Sequence, residues 1–274
     1  MGYYAARTAV ITGAGSGIGR ALAAGLARRG AHLALSDCDT TAVEETARQC
    51  RLSGARIRTD TVDVTDCGAV LGYSAAVLGD FGRIDLVFCA AGVIHTGSLV
   101  ASDFTDLAHV INVNLYGVLH TAKAFLPPLI SSGRGHIVTV SSGFGLMAAP
   151  HYSAYNASKF AVRGFSEALR LEMARDGHPV TVTCVYPGRI RTAIMRNGSY
   201  AAGENAAAIT AGFERAARMD ADQAAAIILR GVARRRPRLL VGADARAVSL
   251  LVRVAGSSYQ DMLPLLARRI RKIS

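Results

Sequence analysis

Thr12-Gly13-Ala14-Gly15-Ser16-Gly17-Ile18-Gly19 follows an apolar run at residues 8–12 and opens an apolar-periodic stretch at 18–29. Gly13, Gly15, Gly17 and Gly19 allow a sharp turn and a close backbone approach to a pyrophosphate. The amides and dipole of the helix N-terminus that follows, with Ser16 and Ile18 in its first turn, meet the negative charge. A plain strand-to-helix turn can use the same glycines, so the residues downstream decide. Asp37 stands eighteen residues past Gly19, at the end of a second apolar run. A carboxylate there can take both hydroxyls of an adenosine ribose. It also repels a 2′-phosphate, and neither Ser16 nor Cys38 is a cation that would attract one, so NAD is expected over NADP. Asp63-Val64, after a third run, is placed to meet the adenine edge, although Asp63 reads almost equally well as a helix cap.

Working outward, short apolar runs recur at 8–12, 32–36, 56–62, 84–89, 136–140, 181–186 and 238–241. Several are apolar throughout, as parallel strands covered on both faces require. Helical patterns fill the gaps at 18–29, 40–52, 66–78, 103–130 and 152–175. This alternation predicts an α/β chain: one doubly wound parallel sheet with helices on both faces. No internal repeat or Pro/Gly linker interrupts it, so residues 1–274 read as a single domain. Residues 193–219, Ala-rich and broken by glycine, read as an insertion above the sheet that covers the substrate side.

The 274 residues carry a formal charge of +11, yet residues 230–274 net +9 and the preceding body only +2. The cations therefore say little about the body, and no aromatic platform accompanies them, so nucleic acid is not expected. Only Lys123, Lys159 and Lys272 are lysines among 31 basic residues. Five cysteines form no CxxC pair and no metal spacing, and the histidines add none, so no metal site is expected and the thiols read as reduced. With no signal peptide and no apolar run of transmembrane length, a cytoplasmic location is expected.

Tyr155-Asn156-Ala157-Ser158-Lys159 opens one of the helical stretches. Tyr and Lys four residues apart share a helix face. An ammonium there favours phenolate and draws the phenol towards the working range of a general acid/base. Ser142, thirteen residues upstream and just past the 136–140 run, would reach the same sheet edge and polarise a substrate oxygen. Ser141 is its neighbouring competitor, and the spacing favours Ser142.

These motifs resemble those of the short-chain dehydrogenases/reductases, of the TGxxxGxG and YxxxK type, over at least residues 8–192. The resemblance implies a Rossmann-like fold and an oxidoreductase. It extends to Asn114 in Val113-Asn114-Leu115 as a fourth catalytic residue, and to Pro187-Gly188-Arg189-Ile190-Arg191-Thr192. In that last segment Ile190 and Thr192 would hold the nicotinamide carboxamide. Tyr155 would act as acid/base, Lys159 would lower its pKa and bind the nicotinamide ribose, and Asn114 would anchor a proton-relaying water. One departure stands out: Cys89-Ala90-Ala91-Gly92 replaces an Asn-rich motif, keeping only the Gly92 backbone approach, so a repacked strand end is expected. Relatives of this type also imply a homo-oligomer, built on the helices at 103–130 and 152–175.

His95 and His151 flank the presumed cleft, as substrate contacts or as solvated loop residues. Phe144, Leu146, Met147, Ile194, Met195, Tyr200 and Phe213 bias the substrate side towards a lipophilic alcohol or ketone, or simply pack the cover over it. Leu263 to Ile273 alternates apolar and basic residues at near-helical spacing and suits peripheral contact with an anionic membrane, so the tail at 243–274 is expected to be a basic helical segment. The reading is an NAD-dependent oxidoreductase interconverting an alcohol and its ketone or aldehyde. Its rivals are an NADP-linked reductase of 3-oxoacyl thioesters and a non-catalytic dinucleotide-binding or membrane-docking protein.

Overall fold

The computed structural model describes residues 2–261. From the N-terminus run β1 (Thr8–Thr12), α1 (Gly17–Ala27), β2 (His32–Asp37), α2 (Thr40–Arg51), β3 (Ile57–Thr61) and α3 (Cys67–Phe81). Next come β4 (Leu86–Cys89), a two-residue β5 (His95–Thr96), α4 (Phe104–Ile111), α5 (Gly117–Ser131), β6 (Gly135–Val140), α6 (Ser153–Arg175) and β7 (Val180–Pro187). The remainder holds β8 (Ile190–Arg191), β9 (Ser199–Tyr200), α7 (Ala206–Ala216), β10 (Met219–Asp220), α8 (Ala221–Ala233), β11 (Arg238–Val241) and α9 (Ala243–Ala255).

Seven strands form one sheet in the order β11-β7-β6-β4-β1-β2-β3, and every neighbouring pair is parallel. The doubly wound parallel sheet expected from the alternation is the one observed. The strand order reverses between β1 and β4, where open sheets of this kind leave a crevice at their carboxyl ends. Alternation along the strands explains why both faces are covered. Ala9 and Ile11 of β1, Leu33 and Leu35 of β2, and Leu86 and Phe88 of β4 pack with α1, α2 and α8. Val10, Ala34, Val87 and Cys89 point the other way, into a second core with α3, α5 and α6.

The stretch expected as one helix at 103–130 is α4 and α5 joined by a π-helical turn, Asn112–Tyr116. That turn widens the backbone ladder at Asn114. Hydrophobic periodicity does not register such a bulge, because the apolar stripe continues across it.

One polar residue inside the sheet has a measurable consequence. His136 of β6 is fully buried, bonded through Nδ1 to the Tyr3 hydroxyl (3.0 Å) and through Nε2 to Thr183 Oγ1 (2.8 Å). Burial, helped by the charges of Arg235 and Arg7, holds its imidazole down to about 3. The folded chain thus binds this proton less readily than the unfolded one. Its stabilising share is present above an unfolded value of about 6.5 and is lost as pH falls towards 3. Between pH 6.5 and 4 the wild type should lose roughly 3 kcal/mol more stability than His136→Gln. Urea unfolding at a series of pH values checks this, and parallel curves for the two proteins would refute it.

Candidate active site

A single cleft of about 1840 Å³ runs along the carboxyl ends of the strands, from Asp37 and Asp63 past the glycine turn to Ser142, Tyr155 and Lys159. At its near end Gly13 adopts φ +68°, and a Cβ there would lie 2.5 Å from the Ala91 backbone. No other residue fits that approach. Gly15, Ser16, Gly17, Ile18 and Gly19 line the same wall. Asp37 ends β2 with its carboxylate accepting hydrogen bonds from Gly15 N–H (2.8 Å) and Asp39 N–H (3.1 Å). Arg20 also lines the cleft, but its guanidinium is tied to the Gly15 carbonyl and, through Nε, to Thr46 Oγ1 at 3.0 Å. Asp63 and Val64 lie beyond Asp37. Asp63 caps no helix: it holds Thr65 through two 2.8 Å bonds, while Asp66 caps α3. The cradle of glycines, the ribose-directed carboxylate and the long trough fit a dinucleotide.

At the other end Tyr155 and Lys159, both buried, share one face of α6, with the Lys159 ammonium 5.6 Å from the Tyr155 ring centre. Lys159 Nζ donates to the Val140 carbonyl at 3.2 Å, which fixes it against the end of β6. Burial brings Lys159 down to about 8, so it is still mainly a cation at neutral pH. Burial also pushes the Tyr155 phenol up, and a hydrogen bond from Ser142 draws it back. Ser142 thus joins Lys159 as a group beside the phenol that can favour phenolate. The two serines are sorted by direction. Ser141 is buried and donates to the Lys159 carbonyl (2.7 Å), while Ser142 faces the cleft and caps the turn Gly143–Gly145 through the Phe144 N–H (3.1 Å).

Three further segments converge here. The Asn114 side chain accepts from Val93 N–H (2.8 Å) and donates to the Val93 carbonyl (2.9 Å) and Ser158 Oγ (3.1 Å). Both amide hydrogens are thus committed to protein partners. Gly92 sits between Asn114 and Lys159: a Cβ there would be 3.1 Å from the first and 3.4 Å from the second. Cys89, where the family pattern has Asn, is packed in the core beneath, its thiol pushed up to about 12 by burial. Pro187, Gly188, Ile190 and Thr192 line the cleft opposite Tyr155, and the Thr192 side chain closes to 3.2 Å of where a Gly17 Cβ would stand.

The short chain dehydrogenase family model matches residues 7–201. SadH of Mycobacterium tuberculosis, a candidate oxidoreductase by name, is 47% identical over 264 residues, 96% of each chain. Estradiol 17-beta-dehydrogenase 11 of Mus musculus is 36% identical over 191 residues, 69% of this chain and 64% of that one. A short-chain dehydrogenase/reductase from Burkholderia phymatum, solved in complex with NAD, superposes with a TM-score of 0.87 at 30% identity, covering 96% of this chain and 97% of that chain. The chain belongs to the short-chain dehydrogenases/reductases. It is a dehydrogenase/reductase with a Rossmann-like fold.

On the substrate side of this dehydrogenase, Phe144, Met147, Ile194, Met195 and Phe213 line the cleft, joined by Tyr152 and Ile209. Leu146 and Tyr200 do not: Leu146 packs beneath against Tyr186, and the Tyr200 hydroxyl donates to the Met195 carbonyl at 2.6 Å. His95 is buried between Ser199 Oγ (2.7 Å) and Ser102 Oγ (2.9 Å), and His151 pairs with Glu204 at 2.9 Å. Neither is among the cleft-lining residues. Sequence reading missed Asp244, whose carboxylate accepts from Arg189 N–H at 2.6 Å, so closely that a Cβ on Gly188 would lie 1.9 Å from it. The 263–273 segment lies outside the described residues. Among the described residues no helix is long and apolar enough to cross a membrane, and no cluster of His, Cys, Asp and Glu is arranged to hold a metal.

Burying Lys159 as a cation costs stability. The fall from 10.5 to about 8 corresponds to about 3 kcal/mol, fully felt below pH 8 and gone above about 10.5. Lys159→Met, close in volume, should therefore raise stability at pH 7 by roughly 1–3 kcal/mol, with the gain shrinking above pH 10. Denaturant unfolding at the two pH values measures it. A destabilised variant at pH 7 would show that the ammonium is not under desolvation stress.

Proposed function

We propose that this chain is an NAD-dependent oxidoreductase that interconverts a lipophilic alcohol and its ketone or aldehyde. The observation that carries the reading is the meeting of Ser142, Tyr155 and Lys159, all facing the trough that begins at the glycine turn. A bound nicotinamide dinucleotide supplies the hydride acceptor or donor. The chain supplies the proton chemistry and the orientation. In the oxidation direction Tyr155 takes the hydroxyl proton of the substrate, and Ser142 holds the same oxygen while it becomes a carbonyl. Lys159, held as a cation close to the phenol, stabilises the phenolate form and reaches towards the nicotinamide ribose. Its commitment to lysine in a chain that otherwise favours arginine fits a compact charge that burial can tune.

Asp37 supports NAD: its carboxylate at the end of β2 would repel an NADP 2′-phosphate, and the nearby Arg20 is already satisfied within the turn. A lipophilic substrate is supported by the apolar lining around Tyr155 and by the relative named for estradiol. A homo-oligomer is also proposed, supported by exposed Tyr116, Phe160 and Leu171 on the stretches 103–130 and 152–175. Five free thiols support a reducing compartment.

Two measurements test the reading. Tyr155→Phe should lower turnover by about a thousandfold or more on any accepted alcohol while NADH affinity, followed by its fluorescence, stays within about twofold. Turnover that survives would displace Tyr155 from the acid/base role. For the cofactor, wild-type NADH should bind more tightly than NADPH, and Asp37→Ala should weaken NADH by roughly tenfold while narrowing that gap. Tighter NADPH binding by the wild type would end the NAD assignment.

A further inference from the structure

α9 borders the cleft at the end of β11. β11 pairs with β7 so that Val241 lies beside Pro187, and α9 starts two residues later at the carboxyl edge. Ala245 and Val248 on its inner side line the cleft. Beyond α9 the turn Gly256–Ser258 reverses the chain and returns Tyr259 to the same wall. Tyr259 is buried although its neighbours Ser258 and Gln260 are exposed. Its hydroxyl accepts a hydrogen bond from Ala148 N–H at 3.1 Å. Ala148 belongs to the loop that begins with Ser142, passes Phe144 and Met147, and leads into α6 and Tyr155.

We propose that Tyr259 is a specificity-determining residue: its ring forms the C-terminal wall that limits the length of the lipophilic substrate, and its hydroxyl steadies the loop carrying Ser142. The proposal rests on the alcohol dehydrogenase reading above. Three features carry it together. A lone aromatic side chain is buried on a segment whose flanking residues are solvated, and its buried surface faces a trough. The hydrogen bond joins residues 111 positions apart, across the trough rim, to a loop with no other anchor to the C-terminal segment among the described polar contacts. Phe144, Ile194 and Phe213 make the same cleft apolar, so a ring completes a slot for a flat or elongated apolar body.

The test is a ladder of secondary alcohols from short-chain to polycyclic, assayed with NAD in the wild type, Tyr259→Ala and Tyr259→Phe. Removing the ring should raise the ratio of kcat/KM for long or polycyclic alcohols over short ones by at least about fivefold. Tyr259→Phe keeps the ring, so it should hold that ratio close to the wild type while raising KM across the ladder several-fold through the freed loop. An unchanged or lowered ratio in Tyr259→Ala overturns the proposal, as does a Phe variant that shifts the ratio as far as Ala. If Tyr259→Ala does not fold, as judged by NADH binding and circular dichroism, Tyr259→Leu takes its place with a smaller shift in the same direction. Failure of the underlying reading is a separate outcome: the wild type would then turn over no member of the ladder.

Discussion

The seven strands of the central sheet all run in one direction, so every loop that leaves a strand at its carboxyl end opens onto the same edge. This constraint brings together residues from nearly the whole chain. β1 delivers the glycine turn, β2 Asp37, β4 Gly92, β6 Ser142, β7 the segment from Pro187 to Thr192, and β11 Asp244. Parallel pairing also demands a helical return between strands, and those helices bury both faces of the sheet. The edge is then the part of the sheet left open, and the reversal between β1 and β4 makes it concave.

Within that edge, water exclusion sets the chemistry. Tyr155 and Lys159 sit on a helix that packs against the sheet, and burial raises the first while lowering the second. The two shifts oppose the charges that proton transfer needs, so the site is held under strain by the fold rather than relaxed within it. Ser142 and the Val140 carbonyl relieve part of that strain by hydrogen bonding each group where it stands. Burial thus drives the two acidities apart: the ammonium, brought down to about 8, becomes the stronger acid of the pair, and the phenol, pushed up, the weaker. The cost to stability at Lys159 comes from that same burial.

The fold and the chemical residues were legible because their signals are local. A glycine turn after an apolar run, Tyr and Lys one helical turn apart, and an acid at a strand end each need only a short window of sequence. What escaped was set by contacts between distant residues. Asp244 meets Arg189 across 55 positions and Tyr259 meets Ala148 across 111, and neither pair shares a spacing that periodicity could register. Arg20 carries no such signal either, because its guanidinium folds back onto the Gly15 carbonyl within the turn itself. The role given to Lys159 in tuning Tyr155 was half legible. Their proximity followed from spacing, but the desolvation of both follows from packing, which spacing does not contain.

The C-terminal segment gains meaning from the same geometry. Asp244 fills the space that Gly188 leaves empty, and a side chain at position 188 would collide with it. The segment expected to grip the nicotinamide is therefore seated on α9, not merely near it. Tyr259, just past the turn that follows α9, seats the loop that carries Ser142. The segment from Asp244 to Tyr259 thus touches both Arg189 and Ala148, and a displacement of that segment would move the two together.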